Sequence, residues 1–395
     1  MAVGLGLVVG LTGCAAKTAP GERLSIQPQV QVDIDGKAVP ATDAASAADP
    51  AGNGQASCPP HTTIGYAGPL TGQDSALGIN IVDAVRVALA RHNSANPNCQ
   101  VQLKQFDTEG KPQKASQVVP QIINDAAIVG LVGPTFSGET KATGQILSDA
   151  GLISMTASAT NATLTQKGWK TFFRGLANDD VQGPSVAKYL RESGYKRVCV
   201  ILDNTDYGAG LARSILAGLG DASRSDCVAR IKKGDRDFSA TVTRIAAIKP
   251  DAIFFAGYYA EAATLVQQLK SAGVTATFVS ADGTNDPQFL RQGGNSTKNS
   301  VLSCPCGPAP ERFAEEYRRL NHIDPGVYSV EGYDLATIVL KGIDAGRQSR
   351  PALVDFVRSY SGDGLARHYQ WSPNGELAKT NIWIYDVSRS TDKAK

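Results

Sequence analysis

An α/β fold in two lobes is predicted by three features of this chain. A strand–helix alternation begins at Thr62, and a second run of it restarts after Asn178-Asp179-Asp180. The length, 395 residues, suits two domains at ~100–200 residues each. Successive β-α-β units imply a mostly parallel sheet covered by helices on both faces, one such sheet per lobe. In the first run, 63–67, 101–106, 128–132 and 152–155 read as strands. Helices at 79–93, 114–124 and 139–150 separate them, and Val82, Val85 and Leu89 share one stripe of the first. The second run gives helix 181–193, strand 197–202, helix 208–219, strand 227–231 and helix 238–248. Strand 252–255, helix 261–272 and strand 277–280 complete it. The last quarter is mostly helical, at 310–321, 328–346 and 350–359. It closes in a hairpin-like pair, 367–370 and 381–387, around Ser372-Pro373-Asn374-Gly375.

The N-terminal stretch follows other rules. An apolar run from Val3 to Leu11 ends in Leu11-Thr12-Gly13-Cys14. This resembles a bacterial lipobox, in which the cysteine is lipidated and becomes the mature N-terminus. The run is short of the ~20 residues a spanning helix needs and fits a signal-peptide core, although Met-Ala-Val-Gly lacks the usual basic residue. Residues 1–14 are therefore expected to be a lipoprotein signal peptide, with lipidation at Cys14. Residues 15–60 read as a low-complexity tether, because Ala, Asp, Pro and Gly dominate 38–56 and such a composition buries little. Weak alternation across 26–34 admits one small strand there.

Composition narrows the function. Apolar residues make up 42%, charged residues 19%, and the net charge is +2; nothing forecasts nucleic acid as a partner. No second apolar segment is long enough to span a membrane. Of the cysteines, lipidation of Cys14 leaves Cys58, Cys99, Cys199, Cys227, Cys304 and Cys306, an even set that suits an oxidising compartment. Six cysteines allow many pairings, and sequence alone does not choose among them. Strand adjacency favours Cys58–Cys99 and Cys199–Cys227. Cys304–Cys306 would then be a tight bridge across one proline, with zinc as the rival reading of Cys-Pro-Cys. His61, His92, His322 and His368 show no ligand spacing near it, so no metal is expected.

In open α/β sheets ligands sit beyond the carboxyl ends of the strands, so those loops hold the candidate residues. Gly133-Pro134-Thr135-Phe136-Ser137-Gly138 leads into a helix. Its free N–H groups and the Ser137 hydroxyl would suit a carboxylate, while the bland reading of Ser137 is a helix cap. Met155-Thr156-Ala157-Ser158-Ala159-Thr160 offers Ser158 and Thr160 as further donors. From the second lobe come Tyr207, Tyr258 and Asp282. An acid would pair with an ammonium, and aromatic faces would cover apolar parts or attract a cation. Enzyme motifs are poor. Gly208-Ala209-Gly210 lacks the third glycine of a dinucleotide fingerprint, Ser137 is not in a nucleophile elbow, and no histidine sits on a strand-end loop. The chain is expected to be neither an enzyme nor a cofactor binder.

From Thr62 onward the chain resembles the branched-chain amino acid binding proteins of bacterial ABC transporters, the leucine/isoleucine/valine type of the periplasmic binding protein type I fold. The matching stretches are Pro69-Leu70-Thr71-Gly72, Val132-Gly133-Pro134 into Ser137, and Ser154 to Thr160. They continue with Phe173-Arg174, Asp180-Val181-Gln182-Gly183-Pro184, Tyr207-Gly208-Ala209-Gly210-Leu211-Ala212, Asp237-Phe238-Ser239, Gly257-Tyr258 and Asp282-Gly283. The resemblance implies an amino acid held between closing lobes. Its carboxylate would lie at Ser137, Ser158 and Thr160, its ammonium at Asp282, with Tyr207 and Tyr258 on the second-lobe side. Asp282 stands where the family commonly has a longer Glu, and Leu77 where an aromatic can cover the ligand side chain. It also implies three hinge crossings, near 176–179, 303–306 and 367–370. Lobe 1 would then be 61–177 with 306–368, and lobe 2 would be 178–305 with 369–395. The expected function is the extracytoplasmic solute-binding component of an ABC importer, with permease subunits as partners and the membrane reached only through lipid. The alternatives are another small ligand in the same fold, such as an amide or an aromatic acid, or a sensory ligand-binding module.

Overall fold

The computed structural model describes residues 23–41 and 44–390; the lipobox and Cys14 lie outside the described residues. Strand β1 (Arg23–Val32) comes first. The first α/β run then follows in order: β2 (Thr63–Gly68), α1 (Ser75–Ala95), β3 (Gln102–Asp107), α2 (Pro112–Asn124), β4 (Ile128–Val132), α3 (Ser137–Asp149), β5 (Ile153–Thr156) and β6 (Phe172–Arg174). These strands form a five-stranded sheet in the order β3-β2-β4-β5-β6, parallel throughout. β2, β4 and β5 are buried along their whole length, as strands with helices on both faces must be.

The second run is α4 (Asp179–Glu192), β7 (Val198–Leu202), α5 (Asp206–Leu219), β8 (Ser223–Arg230), α6 (Ser239–Ile248), β9 (Ala252–Ala256), α7 (Tyr259–Ser271), β10 (Thr277–Ser280), α8 (Pro287–Gly293) and β11 (Val301–Cys304). Capping explains where two of these helices begin. The Asn178 side chain accepts from Val181 N, and Thr205 accepts from Gly208 N. The chain then returns to the first lobe as α9 (Glu311–Asn321), α10 (Ser329–Asp344) and α11 (Arg350–Arg358), with the strands β12 (Ser361–Asp363) and β13 (His368–Gln370). Finally β14 (Ile382–Ser390) joins the second sheet, whose order is β1-β14-β11-β10-β9-β7-β8. β7 to β11 are parallel, whereas β14 runs antiparallel to β11 and to β1. The predicted α/β class with two helix-flanked, mostly parallel sheets is what the structure has.

Three expectations need correction. The stretch read as a tether contributes β1, paired with β14 from Arg23 to Val32. Its later part is fastened to the first lobe through Ala48 N to Asp363 O, Arg91 to Asp49 and Ala56 N to Asn96 Oδ1. The small strand admitted across 26–34 is thus present as β1, but composition gave no sign that the stretch is docked, because a β ladder is built from backbone groups and needs few apolar side chains. Second, the terminal hairpin does not form as read. β13 pairs with β12, β14 pairs with β11 and β1, and only the bridge Trp371–Leu377 closes around the turn. Third, the last crossing falls between Leu377 and Ile382 rather than at 367–370, because Gly375 O accepts from Arg174 N beside β6. The other crossings follow Arg174 and Cys304.

Cys58 is bonded to Cys99, Cys199 on β7 to Cys227 on β8, and Cys304 to Cys306, with Cα separations of 4.7, 5.0 and 4.9 Å. His92, Cys99 and Asp344 lie close enough to suggest a metal. The disulfide removes the Cys99 thiolate, however, and the His92 ring bonds Asp344 at 2.8 Å. Among the described residues no helix is long and apolar enough to cross a membrane.

Candidate functional site

The carboxyl ends of the two parallel sheets face each other across a seam. On the first-lobe side the loop after β4 turns at Gly133, whose φ is +122°; a Cβ there would stand 2.3 Å from Ala67 O. Only glycine fits, and the turn delivers Phe136 and Ser137 to the start of α3. Phe136 is the N-cap, and its N–H donates to Glu139 Oε2 at 2.7 Å. Ser137 therefore does not cap its own helix. Its Oγ accepts from Asn161 N at 3.2 Å, tying the loop after β4 to the loop after β5. Ser158 Oγ donates to Thr135 O at 2.5 Å. Arg174, fully buried, donates to the carbonyls of Ala159 and Asn161 and pairs with Glu376 at 3.0 Å. It thus holds the same loop from behind.

On the second-lobe side Asp282 is buried. Its Oδ1 accepts from Tyr207 Oη at 3.0 Å and its Oδ2 from Tyr328 Oη at 2.7 Å. Tyr207 belongs to the second lobe, whereas Tyr328 precedes α10 in the first, so one carboxyl group gathers phenols from both. Burial pushes the Asp282 carboxyl up, while the hydrogen bonds from Tyr328, Gln182 and Tyr207 work the other way. Burial also raises both phenols well above their usual range, which keeps them protonated and able to donate. Opposite them, the Thr160 Oγ1 and both carboxyl oxygens of Asp179 are buried without a hydrogen bond of ordinary geometry. Burial pushes Asp179 up to about 8, with the Thr160 hydroxyl lowering it.

Above this layer lies a cavity of about 560 Å3 between the lobes. It is lined by Asp74, Phe136 and Glu139 from the first lobe and by Asn204, Lys233 and Tyr258 from the second. The Tyr258 ring packs, tilted, 4.7 Å from Phe136 and 5.2 Å from Tyr207, ring centre to ring centre. Of the residues chosen from sequence, Tyr258 lines this cavity. Ser137, Ser158, Thr160, Tyr207 and Asp282 sit in the buried layer, and Leu77 is buried in the core on α1. Tyr328, Lys233, Phe136 and Asp179 were not singled out. Tyr328 heads a helix that returns late in the chain, off the β-α-β rhythm. Lys233 follows another lysine and reads as solvated surface. Phe136 and Asp179 lay within stretches already noted, but their neighbours drew the reading.

Polar contacts bridge the lobes around the cavity. Lys233 Nζ pairs with Asp74 at 2.6 Å, and Gln73 Nε2 donates to Glu261 at 2.5 Å. Asn80 Nδ2 donates to Asp286 at 2.9 Å, and Lys141 pairs with Asp206 at 2.7 Å. The lobes are closed on one another in this structure. Two α/β lobes meeting at the carboxyl ends of their strands match a known pattern. A family model described as periplasmic binding protein fits residues 61–394. The chain belongs to the periplasmic binding protein family.

Relatives of this periplasmic binding protein include the leucine-, isoleucine-, valine-, threonine-, and alanine-binding protein of Pseudomonas aeruginosa, 25% identical, covering 84% of this chain and 91% of the relative. The Leu/Ile/Val-binding protein BraC3 of Rhizobium johnstonii is 28% identical, over 71% of this chain and 78% of its own length. In fold the chain is similar to the substrate binding protein LivJ of a branched-chain amino acid transporter of Streptococcus pneumoniae, solved with isoleucine. That match has a TM-score of 0.77 at 23% identity and covers 83% and 99% of the two chains.

Proposed function

We propose that this chain is the extracytoplasmic solute-binding component of an ABC importer and captures a small amino-acid-like zwitterion between its lobes. The observation that carries the reading is the buried Asp282 carboxyl group held between phenols of both lobes, opposite the buried Thr160 hydroxyl beside Asp179. Such a seam presents a counter-charge for an ammonium on one side. On the other, Ser137 and Thr160 offer hydroxyl donors for a carboxylate, while the Ser158 hydroxyl, given to Thr135 O, holds their two loops together. Ligand contacts completed only on closure favour the closed form, which a permease would then recognise. No catalytic step is proposed. The relatives named for leucine, isoleucine and valine support an amino acid as the ligand class. Attachment to the membrane through lipid at Cys14 belongs to the same reading; a Cys14→Ser protein that still fractionates wholly with membranes would refute it.

A thermal-shift screen against amino acids and related metabolites tests the central claim. A ligand present at about 100 times its dissociation constant adds ~2.7 kcal/mol of stability. Stabilisation by an amide or an aromatic acid, with none by any amino acid, would replace this ligand class with another.

A further inference from the structure

The cavity above Asp282 is charged in an unbalanced way. Asp74 and Glu139 line it, and Asp203 and Glu261 lie behind its second-lobe wall; all are buried. Asp74 Oδ1, Asp203 Oδ2 and Glu261 Oε2 have no hydrogen-bond partner, and Glu139 has beyond the Phe136 N–H only the Thr108 hydroxyl. Among the described residues Lys233 is the cation set among them. Lys233 pairs with Asp74 and also lowers the pKa of Glu139, Asp203 and Glu261. The rim acids do not share this need, because Glu109 pairs with Lys111 and Asp206 with Lys141.

The aromatic walls have the same preference. Lys233 Nζ stands 3.9 Å from the centre of the Tyr258 ring and 5.0 Å from that of Phe136. An ammonium over two ring faces beside carboxylates is a cation box, already holding the chain's own lysine. The acids are spread around it. Among the described residues no three of them bring oxygens within 4.8 Å of one another, so the box suits an organic cation rather than a metal ion.

We propose that this cavity is a second cation subsite, and that the preferred ligand is an amino acid whose side chain ends in an amine or a guanidinium. This rests on the amino-acid reading above: the α-ammonium lies at Asp282 and the side-chain cation reaches the box, where it joins Lys233. A bound cation also shifts protons. Burial pushes Glu139 up to about 7 and Asp203 up to about 6. Glu139 faces Lys233 and Asp107; Asp203 faces Lys233 and Glu261. A new positive charge favours the ionised form of both acids, so binding releases protons near neutral pH. Affinity for such a ligand therefore rises as pH climbs through the range from about 6 to about 7.

The experiment is calorimetry on the whole chain with L-lysine, L-ornithine, L-arginine, L-norleucine, L-leucine and the diamine cadaverine, in two buffers of different ionisation enthalpy. At least one basic amino acid should bind about tenfold or more tighter than norleucine, with a buffer-dependent enthalpy that reports proton release. Glu139→Gln should lower the ratio of basic to norleucine affinity, and Lys233→Met should raise it. Norleucine or leucine binding as tightly as every basic ligand overturns the subsite and leaves the amino-acid reading intact. Cadaverine binding while no amino acid does keeps the subsite and overturns the amino-acid reading. Binding of none of these probes overturns both.

Discussion

Asp282 and His92 show how burial and partners set the behaviour of single side chains. Asp282 is the acid at the seam, and a ligand ammonium buried there needs a paired anion. Asp282→Ala should weaken binding of the identified amino acid by about 3–5 kcal/mol. Thr160→Ala and Ser137→Ala should each cost less, roughly 0.5–3 kcal/mol, because backbone N–H groups remain for the carboxylate. Calorimetry that found Asp282→Ala binding as tightly as the parent would move the ammonium elsewhere. His92 is buried on α1. Burial works against its charge, but its hydrogen bonds with Asp344 and Asn93 together outweigh that and raise its pKa. A raised histidine contributes stability that is fully present below its unfolded value of about 6.5 and is lost as pH rises through its folded value. Urea unfolding of the parent and of His92→Gln should therefore converge as pH increases above about 6.5. A gap that widened with pH would contradict this.

At the scale of elements, two attachments stand out. β1 covers β14, which would otherwise be the edge of the second sheet. An uncovered strand presents unpaired N–H and C=O groups and invites association. Removing residues 23–32 should lower the melting temperature and raise light scattering on warming; a truncated protein that melts and scatters like the parent would make β1 dispensable. The loop after β5 depends on Arg174 in the same way. Burial opposes ionisation of Glu376, but Arg174 outweighs it and holds that carboxyl below the usual range. Removing one member of a buried pair leaves the other uncompensated, so Arg174→Met should destabilise by about 3–5 kcal/mol in denaturant unfolding. The variant should also weaken ligand binding, because Ala159 and Asn161 lose their anchor. The strand–helix rhythm was legible from 63 to 280 except for the three-residue β6 (Phe172–Arg174), too short to show a period. Alternation across 26–34 marked most of β1, but its place beside β14 and the pairing at the end of the chain were not legible, because partners far apart in sequence leave no local mark.

The whole molecule is a pair of lobes held together by polar contacts across the seam. Asn80 to Asp286 is one, and it is buried. Asn80→Ala removes the donor and leaves a buried carboxyl short of a partner, which disfavours the closed arrangement. Small-angle scattering of the variant without added ligand should give a larger radius of gyration than the parent. Equal radii would mean that other contacts hold the lobes shut. The N-terminal stretch adds a further pass between lobes, from β1 on the second sheet to Ala48, Asp49 and Ala56 on the first.

By itself the sequence determined the fold class, the two runs of α/β units and the family, since short-range periodicity and loop motifs are local properties. It also brought Ser137, Ser158, Thr160, Tyr207, Tyr258 and Asp282 to the ends of strands, which is a matter of chain order. The tertiary structure decided what each of them touches. It put Tyr328 on Asp282, buried Thr160 beside Asp179, sent Leu77 into the core, and gathered four acids around Lys233. Those outcomes depend on how two lobes fold back on each other, and the distance between residues 74, 139, 203, 233 and 261 in space is not encoded in any window of the chain.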